Sequence, residues 1–372
     1  MEKNSIFYVN SSQGTGQFAR LESASNAIMN EHKVFWISPR VKYPIDGVDY
    51  MDSFKEINLK RNSSVNIIFS SESDLIKSYL SLIYLKIKYK KCDIIFMQRI
   101  DSLKNYIFNF KKRPSLNIFI RIIFFPFFVF FSSLLIDKYI FQTPFALQDY
   151  FFKKRLRTFF ISLFFFNKKV HTLNNNSGTN WNSKFKNNQE HNELIDKNKK
   201  NIVYIGNIQY YGKGIDTIFE SAKKLDSNIY SFKFVGSIPI QFKKKISDLR
   251  EFVNNNNLDI DFCGHKENPH IFLKNENTIF VSASRLDLSP NSVLEALSFK
   301  VPILLSNISA HKYIFRNDEF LFGKDDPIEL SLKIMELFEN REKWQKNVKF
   351  VEHVCNKFNF DWNKEFLKII NI

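Results

Sequence analysis

The stretch TIFVSASRLDLSPNSVLEALSFKVPILLS, residues 278–306, decides how the rest of the chain is read. An apolar run opens it and another closes it. Between them come an acid, Asp287, then a Ser-Pro-Asn turn, then a second acid, Glu295. The pattern predicts a strand, a helix and a second strand parallel to the first. Ser289 suits an N-cap and Pro290 a first helical residue, so the helix should run to about Phe299. The free amides at Asn291, Ser292 and Val293 would then point out at the helix start, where a phosphate or a sugar oxygen is attracted. Val293, Leu294 and Leu297 take the packed side. Glu295 lies one turn in, and its carboxylate can accept two hydroxyl hydrogen bonds, as a ribose diol offers. Asp287 lies in the loop within reach of a second polyol. A solvated loop acid is the plain alternative for it.

The same alternation extends upstream. Residues 201–225, NIVYIGNIQYYGKGIDTIFESAKKL, read as a strand, a loop holding Gly206, Gly212 and Gly214, and a helix. Lys213 sits at the helix entrance, where a cation beside free amides suits a diphosphate. Asp216 reads as a helix-start acid. YSFKFVGS ends in Gly236 and Ser237, and IDFCGH in Gly264 and His265. The first half alternates too. SIFYV, the glycine turn SQGTGQF with Gly14, Thr15 and Gly16, an amphipathic helix and KVFWIS form a βαβ unit. SVNIIFS, one helix over SDLIKSYLSLIYLKIKY, and CDIIFMQ follow. Residues 175–200 are polar and Asn-rich and read as a linker. The chain therefore reads as two consecutive α/β domains with parallel sheets. Ligands of such sheets lie beyond the carboxyl ends of the strands, and with two domains in the cleft between them.

The length of 372 residues suits two domains, and a hydrophobic fraction of 44% is ample for their cores. The net charge of +16 draws the surface to something anionic: nucleic acid, phospholipid head groups or phosphorylated ligands. Solvated basic faces are the plain alternative. Cys92, Cys263 and Cys355 form no disulfide framework, which suggests a reducing compartment, and the N-terminus lacks an apolar signal core. Residues 122–136 are apolar and uncharged, but fewer than the ~20 that a bilayer span needs. A buried core helix, a surface-dipping helix flanked by basic clusters, and a span are the three readings.

Several chemistries fail on spacing. The run from Gly206 is one residue too long for a phosphate-binding NTPase loop, and Gly214 stands where Ser or Thr should hold magnesium. SQGTGQF lacks the third glycine of a dinucleotide fingerprint. There is no HExxH and no GxSxG. Cys263, His265 and His270 offer three candidate metal ligands without a fourth. Asp287 and Glu295 make a poor glycosidase pair, one in a loop and one on a helix.

Taken in order, a strand ending in Gly before Lys213-Gly214, the Gly236-Ser237 loop, Gly264, then Asp287, seven residues, Glu295-Ala296 and the Pro302-Ile303 strand resemble glycosyltransferase family 4, the group 1 glycosyltransferases. The resemblance is strongest over residues 201–322. It implies the GT-B fold: two Rossmann-like α/β domains with parallel sheets facing across a cleft. The expected bounds are 1–180 for an acceptor domain and 181–352 for a nucleotide-sugar domain. A C-terminal helix within 353–372 should pack back on the first. It implies a retaining transferase taking a sugar from a nucleotide-diphosphate donor, with no metal and no further cofactor. Lys213 would neutralise the diphosphate and Glu295 hold the ribose. Asp287 and the amides around Ser289, Pro290, Asn291, Ser292 and Val293 would hold sugar and phosphate, with Gly212 and Gly214 shaping the lysine's loop. The loops at Gly236, Ser237, Gly264 and His265 would lie near the nucleotide. Gly14, Thr15 and Gly16 would approach the diphosphate or the acceptor. Arg99 and Asp101, in MQRID, are the acceptor-side candidates. Three residues depart from the family's usual pattern: Asp287 for Glu, Asn207 for Arg, and Lys300 for Gly.

The expectation is thus a cytoplasmic glycosyltransferase at the inner face of a membrane. Its acceptor would be a glycan or a lipid-linked glycan in cell-surface polysaccharide synthesis, with peripheral contact to an anionic membrane and no nucleic-acid partner. Two rivals stand beside it. One keeps the fold as a nucleotide-sugar epimerase or a phosphorylase. The other is a basic module binding nucleic acid or anionic membrane.

Overall fold

Parallel strands covered on both faces need near-continuous apolar runs, and the two sheets are built from such runs. The computed structural model describes residues 2–9, 16–38, 45–98, 106–107, 109–111, 114–144, 169–177 and 196–371. The chain divides into two units. One is Met1–Asn174 with Asp361–Ile372, and the other is Asn175–Phe360.

The first unit opens with β1 (Lys3–Tyr8), α1 (Gly16–Ile28), β2 (Lys33–Ile37), β3 (Val48–Met51) and β4 (Ser64–Phe69). Then come α2 (Glu72–Lys77), α3 (Tyr79–Lys88), β5 (Lys91–Gln98), α4 (Leu116–Leu135), β6 (Lys138–Phe141) and β7 (Lys169–Thr172). The single helix expected over residues 73–89 is broken at Ser78. The sheet order is β3-β2-β1-β4-β5-β6-β7, and each pair is parallel. The strand exit after β1, which carries Gly14 and Thr15, lies outside the described residues, as do Arg99 and Asp101.

No helix among the described residues is long and apolar enough to cross a membrane. The reading of residues 122–136 as a buried core helix needs correction. Ile123, Phe124, Phe127, Phe131 and Leu134 of α4 are all exposed.

The second unit contains β8 (Lys200–Ile205), α5 (Ile215–Ala222), β9 (Tyr230–Val235), α6 (Lys243–Asn255), β10 (Ile260–Gly264) and β11 (Thr278–Ser282). It continues with α7 (Asn291–Ser298), β12 (Ile303–Ser306), α8 (Ser309–Phe315), β13 (Leu321–Phe322), α9 (Pro327–Glu339) and α10 (Arg341–Phe358). Its order is β10-β9-β8-β11-β12-β13, again parallel throughout. Alternate residues of β8 feed two cores. Ile202 and Tyr204 join one cluster with Ile218 and Phe219 of α5. Val203 and Ile205 join the other with Val293 and Leu297 of α7.

Strand order reverses between β8 and β11, which makes their carboxyl ends the switch point where open α/β sheets bind ligands. The first residues of this unit are packed rather than loose. The Ser177 amide donates to Phe358 O at 2.9 Å and its hydroxyl to Cys355 O at 3.2 Å.

The last helix, α11 (Trp362–Asn371), belongs to the first unit and packs on α1. Trp362, Phe366, Ile369 and Ile370 are its buried residues, and the Arg20 guanidinium lies 5.5 Å from the Trp362 ring centre. Buried Lys138 donates to Ile370 O at 3.2 Å while pairing with Asp93 at 3.1 Å, so one cation ties the helix end to the sheet.

Candidate functional site

The site is built from what leaves β8 and β11. After β8 the chain turns at Gly206 and reaches Gly212, Lys213 and Gly214 before α5. Gly214 has φ +65°, and a Cβ there would stand 2.0 Å from Ala283 O. The residue must be glycine for this loop to lie against the exit of β11. Arg285 holds the two exits together. Its amide donates to Gly212 O at 3.0 Å, and its guanidinium donates to Tyr211 O and to Asp325. The same group forms a two-pronged pair with Asp216 at 2.6 and 3.0 Å. Burial opposes the charge on Arg285, but the hydrogen bonds and charge of Asp216 more than offset it and hold the pKa up. Asp216 does stand in the first turn of α5, and its partner is this arginine.

Lys213 Nζ meets Asp287 Oδ2 at 2.6 Å, and Asp287 Oδ1 accepts from the Leu288 amide at 3.0 Å. The lysine side chain is 28% exposed and the aspartate's 13%, so the pair faces solvent from a mostly closed position. Below them is His311, fully buried, whose Nδ1–H donates to Ser306 O at 2.8 Å. Burial pushes its pKa down to about 4, so the ring stays neutral near Asp287 and Lys213. Tyr204 donates its hydroxyl to Asn207 O at 2.9 Å, and burial, with the Asp287 charge second, raises its pKa.

The start of α7 differs from the expectation by one residue. Pro290 is the N-cap and Asn291 the first helical residue, while Ser289 lies outside the helix and makes no side-chain cap. Proline at the cap has φ −70° and ψ 105°, an extended geometry its ring readily adopts. Asn291, Ser292 and Val293 still form the first turn. Asn175 reaches this point, donating to Ser289 O at 3.2 Å and to Asn291 Oδ1 at 2.6 Å. Glu295 is partly buried, with one carboxylate oxygen 3.0 Å from His270 Nε2. His270 is 2% exposed and stacks on Phe299, ring centres 5.0 Å apart and ring planes nearly parallel. A carboxylate held this way keeps one oxygen fixed and presents a second acceptor.

Three glycine strand ends converge beside this arrangement. Gly236 N donates to Gly264 O at 2.8 Å, and Ile208 N to Ser237 O at 2.9 Å. At Gly236, φ is +151° and a Cβ would fall 1.8 Å from Gly206 O, so the close approach excludes any side chain. Ser237 and His265 are exposed at these ends.

The structure thus brings Lys213, Asp287 and the α7 start to one switch point and joins Gly236 to Gly264. Glu295 stands inside α7, one turn past its start. Gly16 opens α1 of the other unit, and Gly14, Thr15, Arg99 and Asp101 lie outside the described residues. Sequence reasoning missed Arg285 and His311 as parts of the site and treated His270 only as a doubtful metal ligand. Arg285 stands three residues past the end of β11, but its partner Asp216 is far away in sequence, and no spacing rule joins them.

Residues 185–352 match the model of group 1 glycosyl transferases. No curated protein matches the sequence. Solved structures do match along the whole chain. Anabaena HepE in complex with UDP and glucose is 11% identical with a TM-score of 0.72, covering 100% of both chains. Sucrose-phosphate synthase from Thermosynechococcus elongatus is 10% identical with a TM-score of 0.70, over 100% of this chain and 98% of that one. A UDP-forming trehalose-phosphate synthase from Burkholderia xenovorans is 12% identical with a TM-score of 0.70, over 100% and 99%. At such identities the likeness speaks to fold. The glycine-held switch point lies inside the family match, and the whole-chain likenesses agree on the architecture: the protein has the GT-B fold, and its residues 185–352 match the group 1 glycosyl transferases.

Proposed function

We propose that the protein is a retaining transferase of glycosyltransferase family 4 that moves a sugar from a nucleoside-diphosphate donor to a glycan or lipid-linked acceptor. The observation that carries this reading is the Lys213–Asp287 pair at 2.6 Å, with Asp287 on the β11–α7 loop and Glu295 inside the helix that this loop opens. A diphosphate arriving there finds a cation and the first amides of α7. It has to draw Lys213 away from Asp287, which frees the aspartate for a sugar hydroxyl. Glu295 takes the ribose diol with the oxygen that His270 leaves available. The bond between the anomeric carbon and the diphosphate breaks, an acceptor hydroxyl bonds to that carbon on the same face, and its proton passes to a leaving phosphate oxygen. Charge grows on the diphosphate in the transition state, where Lys213 and the helix amides are aimed. No metal enters this scheme.

UDP is the first nucleotide to try, because Anabaena HepE was solved with UDP and with UDP-glucose. We place the enzyme in cell-surface polysaccharide synthesis, at the cytoplasmic face of a membrane. The test is a panel of nucleotide sugars scored by thermal stabilisation, since a ligand at 100 times its Kd adds about 2.7 kcal/mol. One member should stabilise the protein strongly, and with no acceptor it should be hydrolysed only slowly. Stabilisation by none of them removes the reading. Conversion of the nucleotide sugar without an acceptor would make the protein an epimerase instead.

A further inference from the structure

In the first unit, two helices turn apolar residues outward. On α3, Leu82 and Leu85 are buried, yet Leu80 and Ile87 are 81% and 78% exposed, with Tyr84 exposed between them. Leu80, Tyr84 and Ile87 fall three and four residues apart, so they share one helix face. On α4, the exposed residues Leu116, Phe119, Ile123, Phe127, Phe131 and Leu134 recur at the same spacing. The two helices pack together. Tyr79 Oη donates to Phe131 O at 3.3 Å, and Lys86 pairs with Asp137, just past α4, at 2.7 Å. Their outward faces therefore belong to one surface, far larger than the scattered exposed leucines a soluble protein ordinarily carries.

We propose that α3 and α4 form a docking face for an anionic lipid bilayer. This deepens the reading of a membrane-side enzyme and rests on it for its purpose, though not for its chemistry. The charges around the face choose the occupant. Between Lys77 and Ile136 the acids are Asp93 and Asp101, and Asp93 is paired with Lys138. Lys77, Lys90, Lys91, Lys111 and Arg121 are exposed on the same stretch. Lys77 ends α2 three residues before Leu80, and Lys91 opens β5 four residues after Ile87. An apolar ridge rimmed by cations fits acyl chains below and anionic head groups around them. A second copy of the chain fits poorly, because a two-fold contact would set this acid-poor patch against itself. Laid in the interface plane, α4 would run for about 30 Å at the rise of an α-helix.

The test uses the full chain in flotation with phosphatidylglycerol vesicles and with phosphatidylcholine vesicles at low salt. Leu80→Ser with Ile87→Ser removes two exposed apolar side chains without adding charge. Lys90→Gln with Lys91→Gln removes two cations. The wild type should float with the anionic vesicles, and more weakly with the neutral ones. The serine pair should lower binding about ten-fold or more, from the apolar area withdrawn. The glutamine pair should weaken binding and flatten its dependence on salt. Wild-type protein that stays down with anionic vesicles overturns the proposal. So does a serine pair that floats unchanged, as when residues of the chain cover the face. A self-association that the serine pair abolishes, with flotation intact, also overturns it by assigning the face to a second copy. Thermal stabilisation by nucleotide sugar is measured on all three proteins and should be the same. Its absence from the wild type would remove the transferase reading and leave the docking result standing.

Discussion

Helices α7 and α4 solve opposite problems. α7 buries Val293, Leu294, Ala296 and Leu297 and leaves Ser292, Glu295 and Ser298 on its accessible side. α4 leaves its apolar stripe on the outside. Both belong to units whose sheets use the same strand order around the first strand, 3-2-1-4. The shared topology therefore does not dictate what a helix exposes. The second unit spends its polar residues on a site for a small polar ligand, and the first spends its apolar residues on a surface too greasy to suit water.

That contrast can be broken by substitutions that act on one region alone. Lys213→Ala has the largest expected effect. It removes the cation and leaves Asp287 facing the diphosphate, so steady-state transfer should fall by about 100- to 1,000-fold, the range for losing one group that stabilises transition-state charge. Vesicle flotation of the same protein should not change. A loss of both activities would show that the two regions are not separable.

The next effect sharpens the account of the site's floor. The His311 ring is neutral in the folded protein, with its pKa pushed down to about 4 by burial, whereas an unfolded histidine titrates near ~6.5. Between those values the unfolded chain binds a proton that the folded chain refuses. Stability is therefore complete above pH ~6.5 and is lost as the pH falls toward ~4, by about 3 kcal/mol from this group. Denaturant melts at pH 7 and pH 4.5 should show the drop. His311→Asn, which keeps a donor for Ser306 O, should flatten it. An equal drop in both proteins would assign the acid sensitivity elsewhere.

The smallest effect concerns the end of α7. Lys300 has φ +56°, the left-handed position just past a helix where glycine is favoured. Its exposed pair with Glu352, at 3.0 Å, contributes little. Lys300→Gly should raise stability by about 0.5–1 kcal/mol, the relief of a left-handed side chain less the entropy that glycine adds to the unfolded chain. A lower melting temperature would mean that the lysine's contacts outweigh its backbone strain.

The architecture was legible where apolar runs end in glycine. β8, β9 and β10 each leave through Gly206, Gly236 or Gly264, and the close approach of Gly236 to Gly206 O explains why those residues stand out in the sequence. Short or mixed elements were not legible. β13 is only Leu321–Phe322, and β3, VDYM, has no apolar run to announce it. The helix break at Ser78 follows no proline or glycine. In the site, Lys213, Asp287 and Glu295 could be picked out because each sits beside a recognisable strand exit or helix start. Their partners could not. The bonds of Arg285 to Asp216 and of His270 to Glu295 join residues 69 and 25 positions apart, and only the folded sheet brings them together. The outward stripe of α4 was hidden for another reason: apolar periodicity marks a face, and does not say whether that face meets a core or a solvent.

The central claim is that Glu295 grips the ribose of a nucleoside diphosphate whose phosphates lie against Lys213. Calorimetric titration with UDP and with its 2′,3′-dideoxy analogue tests it directly, in the wild type and in Glu295→Ala. The account predicts that the wild type prefers UDP by about ten-fold or more, the worth of hydrogen bonds to a charged group, and that Glu295→Ala binds the two alike. A preference for the ribose hydroxyls that survives in Glu295→Ala would contradict it.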